Sequence, residues 1–485
     1  MHRAPISQID STIIPFEVRQ IMMAIEDAGG HPWIVGGFIR NILIRSIHPS
    51  IPCEIDFKDI DLEVFDLEPE AVFAIVRPLV PHCQMDVGNQ FPVIKARTHS
   101  GIELDVAAPR RERKTGAGHR GFTVTVDVHM PLAEAARRRD FRMNAIALDL
   151  CGTIADPMDG MADIVHQVIR VCDPAGFHED PNRVPRAMQF ASRFDFAPDA
   201  ECIAAAAAAI GEAPRIPAEI WWGEWEKWAS KGVRPSRGLL FLRACGWIGL
   251  FPEAAALIGT AQDPEWHPEG DVWTHSCLSA DRAAEIAARD GITGRARAAF
   301  VIGCFAHDFG KAEPGVSFVK DGRIVSPGHD EAGVAPATRF LNRINAPHAV
   351  RDQVIACVRH HMAHVGVEPS QRIVNRWAKR FHPASIQEIA RVAEADHCAR
   401  PPLPGGAPMA PFVALAESEG VAHQRPKRII EGGRIIEIFG IAPGPQVGMI
   451  VRAAEQAQIE DRAFSDEAGA IQWIANQFDL ALVTP

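Results

Sequence analysis

The stretch WIVGGFIR at residues 33–40, followed after a loop by KDIDLEV at residues 58–64, sets the architecture of the first part of the chain. An apolar strand ends at Gly36 and Gly37, where backbone N–H groups can approach a phosphate because no Cβ stands in the way. A helical pattern that carries Arg40 begins directly afterwards. The stretch therefore predicts a phosphate-binding turn between a strand and a helix.

Two aspartates, Asp59 and Asp61, lie two residues apart in the next apolar strand. Side chains alternate along a strand, so both carboxylates point to the same face. Neighbouring carboxylates repel one another unless a cation lies between them, and Mg²⁺ prefers such carboxylates together with substrate phosphates. The pair predicts a magnesium site, although a solvated acidic strand end would carry the same pattern.

The following strand, residues 101–106, places Glu103 and Asp105 on one face, so either could supply a third carboxylate. We favour Asp105, because it lies nearer the loop that brings in Arg110. That loop, residues 108–121, is rich in glycine and basic residues without periodicity and is predicted to be irregular. Its basic cluster at 110–114 and a second at 137–139 favour a phosphate channel over an ordinary solvated surface.

Composition limits the class of protein. A chain of 485 residues is too long for one core and predicts several domains. Ten cysteines without a CxxC pair indicate reduced thiols, and the absence of a long apolar run predicts a cytoplasmic protein with no membrane segment. A net charge of −11 argues against a generally basic nucleic-acid binder.

Four motifs occur in order: GGFIR at 36–40, DID at 59–61, RRDFRMNA at 138–145 and EDPNRVPR at 179–186. In this order they resemble those of the bacterial tRNA nucleotidyltransferases and related poly(A) polymerases of the polymerase-β superfamily. The resemblance implies an α+β fold, with a small mixed-sheet head followed by all-α neck, HD and tail regions. It also implies that Asp59 and Asp61 hold catalytic Mg²⁺, with Asp105 beside them, and that the glycine turn and Arg40 bind the triphosphate.

The resemblance gives roles to four further residues of the head. Arg139 would help to hold the nucleotide, while Asp180 and Arg183 would present hydrogen-bond groups to the incoming base, with Arg186 one helical turn on. The three-residue spacing would place Asp180 and Arg183 on one helix face, where one accepts and the other donates. The alternative is an ordinary i,i+3 salt bridge.

Four positions depart from the family pattern: Asn41, Arg142, Pro185 and Gln189. Pro185 inside a presumed helix is expected to forfeit one backbone hydrogen bond and to kink the helix, and Gln189 withdraws a charge from the nucleotide pocket. None of the four removes a metal ligand. We therefore expect them to affect nucleotide selectivity more than catalysis.

The region 187–260 has helical patterns, an alanine run at 204–209 and four tryptophans at helical spacing. Such an aromatic stripe is more often core than an RNA-stacking platform. The region resembles the helical neck of the family.

A second set of candidate ligands follows, in the order H…HD…H…H…D with HDFGK at residues 307–311. Imidazoles and carboxylates from several helices suit a divalent transition metal such as Ni²⁺ or Mn²⁺. The order resembles that of HD-domain phosphohydrolases. The resemblance implies that the primary metal ligands are His275, His307, Asp308 and Asp396. It also implies that His329 and His361 complete a second metal site or contact phosphate.

The predicted domains are a nucleotidyltransferase head at 1–150, a base-reading region and neck at 151–260, an HD domain at 261–400, and a Pro/Gly linker (401–412) with a helical tail up to 485. The predicted function is the addition of CCA, or part of it, to tRNA from CTP and ATP, together with HD phosphohydrolase activity. Two alternatives stay open. One is a poly(A) polymerase, and the other is an RNA-binding protein in which only the HD centre is active.

Overall fold

The computed structural model describes residues 7–55, 57–86, 92–114, 122–425, 427–461 and 463–482. The chain divides into two compact units, Met1–Leu250 and Phe251–Pro485. The first contains a mixed sheet and helices, whereas the second is almost entirely helical in its described residues. This arrangement confirms the predicted α+β class. The four-domain division stays a prediction.

The first unit is built on a seven-stranded sheet with the order β3-β4-β5-β2-β1-β8-β9 and a separate β6–β7 hairpin. Within the seven-stranded sheet, the β2–β5 pair is parallel and the others are antiparallel. The strands are β1 His31–Val35, β2 Asp59–Phe65, β3 His82–Asp86, β4 Val93–Arg97, β5 Glu103–Ala107, β6 Arg110–Lys114, β7 Phe122–Val126, β8 Ala147–Leu148 and β9 Ile154–Ala155.

Helices surround this sheet and extend beyond it. A short parallel pair, β10 Val168–Ile169 and β11 Ala197–Pro198, lies between them in sequence. The helices are α1 Phe16–Asp27, α2 Gly37–Ile47, α3 Pro69–Val76, α4 Leu132–Arg137, α5 Gly160–His166, α6 Arg183–Phe194, α7 Ala200–Ala208, α8 Ala218–Lys231 and α9 Pro235–Ala244.

The second unit consists of helices and one hairpin, β12 Phe318–Lys320 with β13 Arg323–Val325. Among the described residues, no helix is long and apolar enough to span a membrane. The helices are α10 Pro252–Ala255, α11 Val272–Arg289, α12 Gly294–Ala306, α13 His329–Ala332, α14 Val334–Arg343, α15 His348–His360, α16 Gln371–Arg380, α17 Ile386–Cys398, α18 Ala410–Ser418, α19 Gly432–Phe439, α20 Pro445–Gln456 and α21 Glu467–Phe478.

The tryptophan stripe belongs to the core, as predicted. Trp225 and Trp228 on α8 are fully buried. The indole Nε1 of Trp228 donates to the carbonyl oxygen of Pro235 at 2.9 Å, so its one polar group is satisfied inside the core.

Two sequence predictions of irregular structure are wrong in part. Residues 110–114 form β6, which pairs with β7, because backbone pairing does not require the apolar alternation by which strands are recognised in a sequence. The remainder of that predicted loop, residues 115–121, lies outside the described residues. The predicted linker 401–412 ends early, because α18 begins at Ala410 and Phe412 packs against Trp377, with ring centroids 4.7 Å apart.

Candidate functional sites

The glycine turn lies directly beside the predicted metal carboxylates. Val35, the last residue of β1, is in register with Asp61 of β2. Gly36 has a φ of 76°, and a Cβ at this position would lie 2.9 Å from Asp61 Oδ2. Only glycine allows both this backbone conformation and this close approach. The strand therefore ends in a turn that leaves room around the carboxylate.

The sheet register brings three carboxylates to one edge of the site. Asp61 pairs with Asp105 across the parallel β2–β5 ladder, whereas Asp59 pairs with Glu103. Glu103 is engaged by Arg97 at 2.6 Å, and the Asp105 carboxylate lies 3.6 Å from Lys95 Nζ. This register favours Asp105 over Glu103 as the third carboxylate.

The electrostatics of these carboxylates fit a divalent cation. Desolvation by the surrounding protein, followed by the charge of Asp59, raises the pKa of Asp61 to about 6, although Asp61 is exposed to solvent. Carboxylate oxygens are the ligands that Mg²⁺ prefers, and a bound cation would remove the mutual repulsion. Asp59, Asp61 and Asp105 are thus a suitable donor set for magnesium.

A fourth acidic residue, Glu63, was missed in the sequence. It lies on the same face of β2 as Asp59 and Asp61, but it is buried and accepts a hydrogen bond from Arg139 Nη2 at 3.1 Å. Arg139 Nη1 would be 3.8 Å from a Cβ on Gly36. Glu63 thus holds the predicted nucleotide-binding Arg139 beside the glycine turn. The period-two alternation of β2 was the signal that could have identified it.

Arg40 lies inside the head. Its Nε and Nη2 donate to Asn41 Oδ1 at 3.0 and 2.8 Å, its Nη1 donates to Asn144 Oδ1 at 2.6 Å, and its guanidinium carbon lies 4.8 Å from the ring centroid of Phe190. Burial, together with the nearby charge of Arg193, lowers the pKa of Arg40 to about 9. The hydrogen bonds of Arg40 within the protein indicate that it supports the site. Its contact with the triphosphate stays a prediction.

The departure at Asn41 has a structural reason. While its Oδ1 accepts from Arg40, its Nδ2 donates to the carbonyl oxygen of Glu54 at 2.8 Å. An ionised aspartate at this position could not make the second bond, because it has no donor. The amide therefore ties the start of α2 to the loop that precedes β2.

A buried aspartate joins two of the motifs. Asp140 accepts from Asn144 Nδ2 at 2.8 Å and from Arg186 Nε at 2.7 Å. Burial opposes ionisation of Asp140, but Arg186 and these hydrogen bonds lower the pKa of its carboxyl below the usual range. Arg186 is thereby fixed to the RRDFRMNA segment.

The prediction that Asp180 and Arg183 share a helix face is wrong. Asp180 has an extended backbone and lies before α6, which begins at Arg183. Asp180 Oδ1 accepts from the backbone N–H of Asn182 at 3.1 Å, and Arg183 Nη2 donates to the carbonyl oxygen of Arg138 at 3.0 Å. The pair is therefore not the i,i+3 helix salt bridge that was the alternative interpretation.

The predicted kink at Pro185 is also wrong. Pro185 is the third residue of α6, and the first four N–H groups of a helix have no intrahelical partner. Its missing donor therefore costs no helix hydrogen bond. Gln189, one turn further, is buried, and its Oε1 accepts no hydrogen bond within the described ranges.

A cleft of about 1010 Å³ lies next to these residues. It is wide enough for a nucleotide. Basic side chains outnumber acidic ones in its polar lining, which fits the predicted phosphate channel. The charged residues of the lining are Arg111, Arg137, Arg138 and Arg183, with Glu134, Asp173 and Glu179.

In the second unit, three helices (α11, α13 and α17) and the segments that follow α12 and α15 bring the predicted HD ligands together. His275 Nε2 lies 3.1 Å from Asp396 Oδ1 and 3.3 Å from His307 Nε2. His329 Nε2 lies 3.2 Å from Asp308 Oδ1. His361 completes the cluster, with its Nε2 3.1 Å from that of His329. These four histidines and Asp308 are buried, and Asp308 belongs to both halves of the cluster.

Hydrogen bonds at Nδ1 orient all four imidazoles. Nδ1 of His307, His329 and His361 lies 2.7, 2.7 and 2.8 Å, respectively, from a backbone carbonyl oxygen. Nδ1 of His275 lies 2.7 Å from the carboxylate of Glu269. Because these acceptors take the proton on Nδ1, each Nε2 atom faces into the cluster. This donor set fits a transition metal, which the four imidazoles and Asp308 would hold.

Burial alone would raise the pKa of Asp308, but the positive charges of His307 and Lys311 hold it well below its usual range. Lys311 Nζ lies 2.6 Å from Asp308 Oδ2. In His361, burial and then the charges of His307 and His329 lower the pKa well below its usual range. Asp308 is therefore ionised and His361 neutral, the protonation states that metal ligands need. In His275, burial lowers the pKa, but hydrogen bonds to Asp396 and Glu269 outweigh it and raise the pKa to about 9, so a metal ion would displace a proton there.

Glu269 was also missed in the sequence. Its side chain is almost fully buried, and its Oε1 lies 2.9 Å from His267 Nδ1 as well as close to His275. The segment HPEGD at 267–271 has no helical or strand periodicity, so the sequence does not predict where the Glu269 side chain points. The only indication in the sequence was that this carboxylate lies six residues before a candidate metal-binding histidine.

Comparison with known proteins agrees with both the fold and the motifs. Residues 32–170 match the family described as the poly A polymerase head domain. The multifunctional CCA protein of Xanthomonas campestris pv. campestris (strain B100) is 32% identical over 392 residues, which cover 77% of this chain and 88% of that protein. The multifunctional CCA protein of Xanthomonas oryzae pv. oryzae (strain MAFF 311018) is 36% identical over 323 residues, 64% of this chain and 75% of that protein.

Two solved structures share the fold. The CCA-adding enzyme of Bacillus stearothermophilus in complex with CTP is 21% identical, with a TM-score of 0.62 and coverage of 96% of this chain and 97% of that chain. The Thermotoga maritima CCA-adding enzyme complexed with tRNA is 18% identical, with a TM-score of 0.58 and 97% coverage of each chain.

The head domain places the chain in the class of nucleotidyltransferases with a poly A polymerase head. More particularly, it belongs to the family of multifunctional CCA proteins. Membership implies a divalent cation in the head.

Proposed function

We propose that this protein adds CCA, or part of it, to the 3′ end of tRNA from CTP and ATP. The single observation that carries the proposal is the convergence of the Gly36 turn with the carboxylates of Asp59, Asp61 and Asp105 on the three central strands of the sheet. The printed names of the relatives, and the CTP and tRNA in the solved structures, support the same activity.

In the proposed reaction the 3′-oxygen of the RNA forms a bond to the α-phosphate, and pyrophosphate leaves in line. Mg²⁺, when bound, would lower the pKa of the hydroxyl and neutralise the leaving group. The glycine turn would offer its backbone N–H groups to the triphosphate, and Glu63 would keep Arg139 oriented toward it. Asp180 and Arg183 would read the base edge from the start of α6 without a template.

A direct test uses purified protein and a tRNA that lacks its 3′ CCA, with CTP alone, ATP alone and both. Incorporation of CTP followed by ATP supports the proposal. Long runs of A from ATP alone would instead identify a poly(A) polymerase. No incorporation under any condition, from a folded protein, would leave only the RNA-binding alternative for the head.

Asp180→Ala is expected to weaken discrimination against GTP and UTP more than it slows CTP transfer. A site whose polar groups are unpaired no longer rejects a wrong base efficiently, so we expect a loss of roughly tenfold or more in discrimination. The measurement is kcat/KM for each of the four nucleotides. Asp180→Asn is the matched control, because it keeps the oxygen that caps Asn182 N–H but changes the group presented to the base. Unchanged selectivity in both variants would contradict a base-reading role.

We also propose that the HD cluster is a metal-dependent phosphohydrolase site that acts on a phosphoester such as a 2′,3′-cyclic phosphate. The four Nε2 atoms that face into the cluster, with Asp308 and Asp396 beside them, support this proposal. A transition metal, when bound, would supply a hydroxide near neutral pH. Lys311, next to Asp308, is placed to hold the negative charge of the phosphate.

Glu269→Gln is expected to weaken binding of Mn²⁺ or Ni²⁺ by about 10- to 100-fold, because the carboxylate that orients His275 is lost. Equilibrium dialysis with metal analysis measures this without any assay of activity. Glu285→Gln, on the exposed side of α11, is the matched control and should bind metal as the wild type does. Wild-type affinity in Glu269→Gln would show that the carboxylate has no orienting role.

A further inference from the structure

A cleft of about 860 Å³ opens beside the HD cluster, and Asp308, His329 and Asp396 line one part of it. This volume lies at the upper end of the range for small-molecule sites, roughly 300–1,000 Å³, and far exceeds that of an inorganic phosphate. The cleft must therefore accommodate more of a ligand than the group that reaches the metal cluster.

Two exposed aromatic side chains in the lining of the cleft, Trp266 and Phe318, are called the aromatic wall below. Trp266 and Phe318 both line the cleft, and they are 55% and 45% exposed, respectively. Large aromatic side chains normally contribute to a core, so two of them facing one cleft indicate a binding surface. Trp266 directly precedes His267, whose Nδ1 shares Glu269 with the predicted ligand His275. The wall is consequently close to the metal cluster.

The aromatic wall is held rigidly. Arg323 on β13 donates to both carboxylate oxygens of Asp263 at 2.8 and 2.9 Å, and its guanidinium carbon lies 5.9 Å from the ring centroid of Trp266. The same Asp263 accepts from the backbone N–H of Trp266 at 3.4 Å. Arg323 lies over the indole, yet more than half of the Trp266 surface is exposed, which leaves ring surface for a planar ligand.

The hairpin that carries Phe318 is also tied to the HD segment. Ser317 Oγ donates to the carbonyl oxygen of Lys311 at 2.7 Å and lies 2.8 Å from Ser326 Oγ. These bonds fix the base of the hairpin to HDFGK. The spacing between the aromatic wall and the cluster is therefore set by the fold.

Basic groups line another part of the cleft. His397 and Arg400 both follow Asp396 at the end of α17, and His397 Nδ1 and Arg400 Nε are buried without a hydrogen-bond partner in the described part of the chain. Arg400 as a whole is only half-buried and lines the cleft, so its guanidinium could pair with a phosphate there.

We propose that Trp266 and Phe318 determine the specificity of this site by stacking on the nucleobase of a nucleotide whose reacting phosphate lies at the HD cluster. This inference rests on the proposed phosphohydrolase activity, and it names the residues that would select a nucleoside over a simpler phosphoester. The nucleotide can be free or can be the end of an RNA strand, in which case the preceding phosphate lies against Arg400.

The experiment compares 2′,3′-cyclic AMP with its abasic analogue, methyl riboside 2,3-cyclic phosphate, on the full-length metal-loaded protein. Trp266→Ala should raise KM for cyclic AMP about tenfold or more, the order expected for the loss of one base stack, while kcat stays within about twofold. KM for the abasic analogue should not change, and Trp266→Phe should restore most of the loss. Equal effects of Trp266→Ala on both substrates would overturn the inference.

Val319→Ala is the matched control. Val319 lies between Phe318 and Lys320 on β12, is exposed and does not line the cleft. It should leave both KM values unchanged. A loss in Val319→Ala equal to that in Trp266→Ala would mean that the hairpin fold, rather than the aromatic wall, is responsible.

Failure of the activity itself is distinguishable from failure of the stacking role. If the wild type hydrolyses neither substrate, the proposed phosphohydrolase function is wrong, and calorimetric titration of 3′-AMP then decides the stacking role. Binding that weakens about tenfold in Trp266→Ala supports it, and equal binding overturns it. A trinucleotide with a terminal cyclic phosphate shows whether the substrate is an RNA end or a free nucleotide. A KM for the trinucleotide below that for cyclic AMP, with this difference lost in Arg400→Ala, indicates an RNA end. Equal KM values indicate free nucleotides.

Discussion

Asp61→Asn is expected to lower the rate of CTP incorporation a thousandfold or more while the protein stays folded. The residue lies at the meeting point of the glycine turn and the β2–β5 ladder, so its loss removes a cation ligand next to the triphosphate. Stabilisation of charge by bound cations supplies several kcal/mol of the barrier reduction, and each 1.36 kcal/mol corresponds to tenfold in rate. Single-turnover incorporation of labelled CTP measures the effect, and Asp59→Asn should behave alike.

Two further substitutions test the register. Asp105→Asn should slow incorporation strongly, because Asp105 lies directly opposite Asp61, whereas Glu103→Gln should retain activity, because Glu103 is paired with Arg97. Near-normal incorporation by a folded Asp61→Asn protein would contradict the assignment of the whole site. The reverse order of effects at 103 and 105 would contradict only the third carboxylate.

Stability measurements separate loss of chemistry from loss of fold. The pKa of Asp61 is about 6, above its ordinary value of 3.8. The folded state therefore favours the protonated carboxyl, and this contribution to stability is present below pH 3.8 and is lost as the pH rises through 6. At pH 7 without metal, Asp61→Asn should accordingly have a Tm no lower than that of the wild type. Added Mg²⁺ should raise the wild-type Tm more than that of the variant.

The parts of the head that the sequence predicted correctly are those set by local geometry. The strand alternation of Asp59 and Asp61 and the Gly36 turn both follow from backbone periodicity within a few residues. Arg40 is different, because its hydrogen-bond partner Asn144 is 104 residues away in the sequence. No short-range pattern contains such a contact.

The start of α6 shows a second kind of limit. Whether Asp180 lies in the helix or before it depends on which residue caps the helix, and Asn182 takes that position although its side chain makes no capping bond. The expectation for Pro185 was wrong for the same reason, because the helix was presumed to begin about one turn before Arg183. Helix ends are decided by small energies, so a motif can be recognised in a sequence while its geometry is not.

The HD cluster was predicted as a set of ligands from the order of its residues, and the structure brings that set together. What the sequence could not supply was the orientation of the rings. Three of the four Nδ1 atoms lie against backbone carbonyl oxygens, which every residue possesses and no motif records. For the fourth ring, that of His275, the acceptor is the side chain of Glu269, which lies in a loop without periodicity.

Replacing His307 and Asp308 together by alanine is expected to empty the HD site of metal and abolish phosphodiesterase activity while CCA addition survives. His307 and Asp308 provide donors to the cluster, and Asp308 belongs to both of its halves. The proposed ions of the head are held by other residues, on a sheet of the first unit. The paired measurement is hydrolysis of a 2′,3′-cyclic nucleotide with Ni²⁺, Mn²⁺ or Mg²⁺ and incorporation of labelled CTP, on wild type and variant.

Folding is the main confounding factor in this experiment, because Lys311 Nζ lies 2.6 Å from Asp308 Oδ2 and would lose its partner in a buried position. The combination His307→Gln with Asp308→Asn preserves side-chain volume and an oxygen near Lys311, so it should fold when the alanine pair does not. Metal analysis and Tm then accompany both assays. Loss of both activities in a folded, metal-free variant would show that the two centres are coupled. If the wild-type protein hydrolyses no substrate with any of the three ions, the HD cluster has only a structural role.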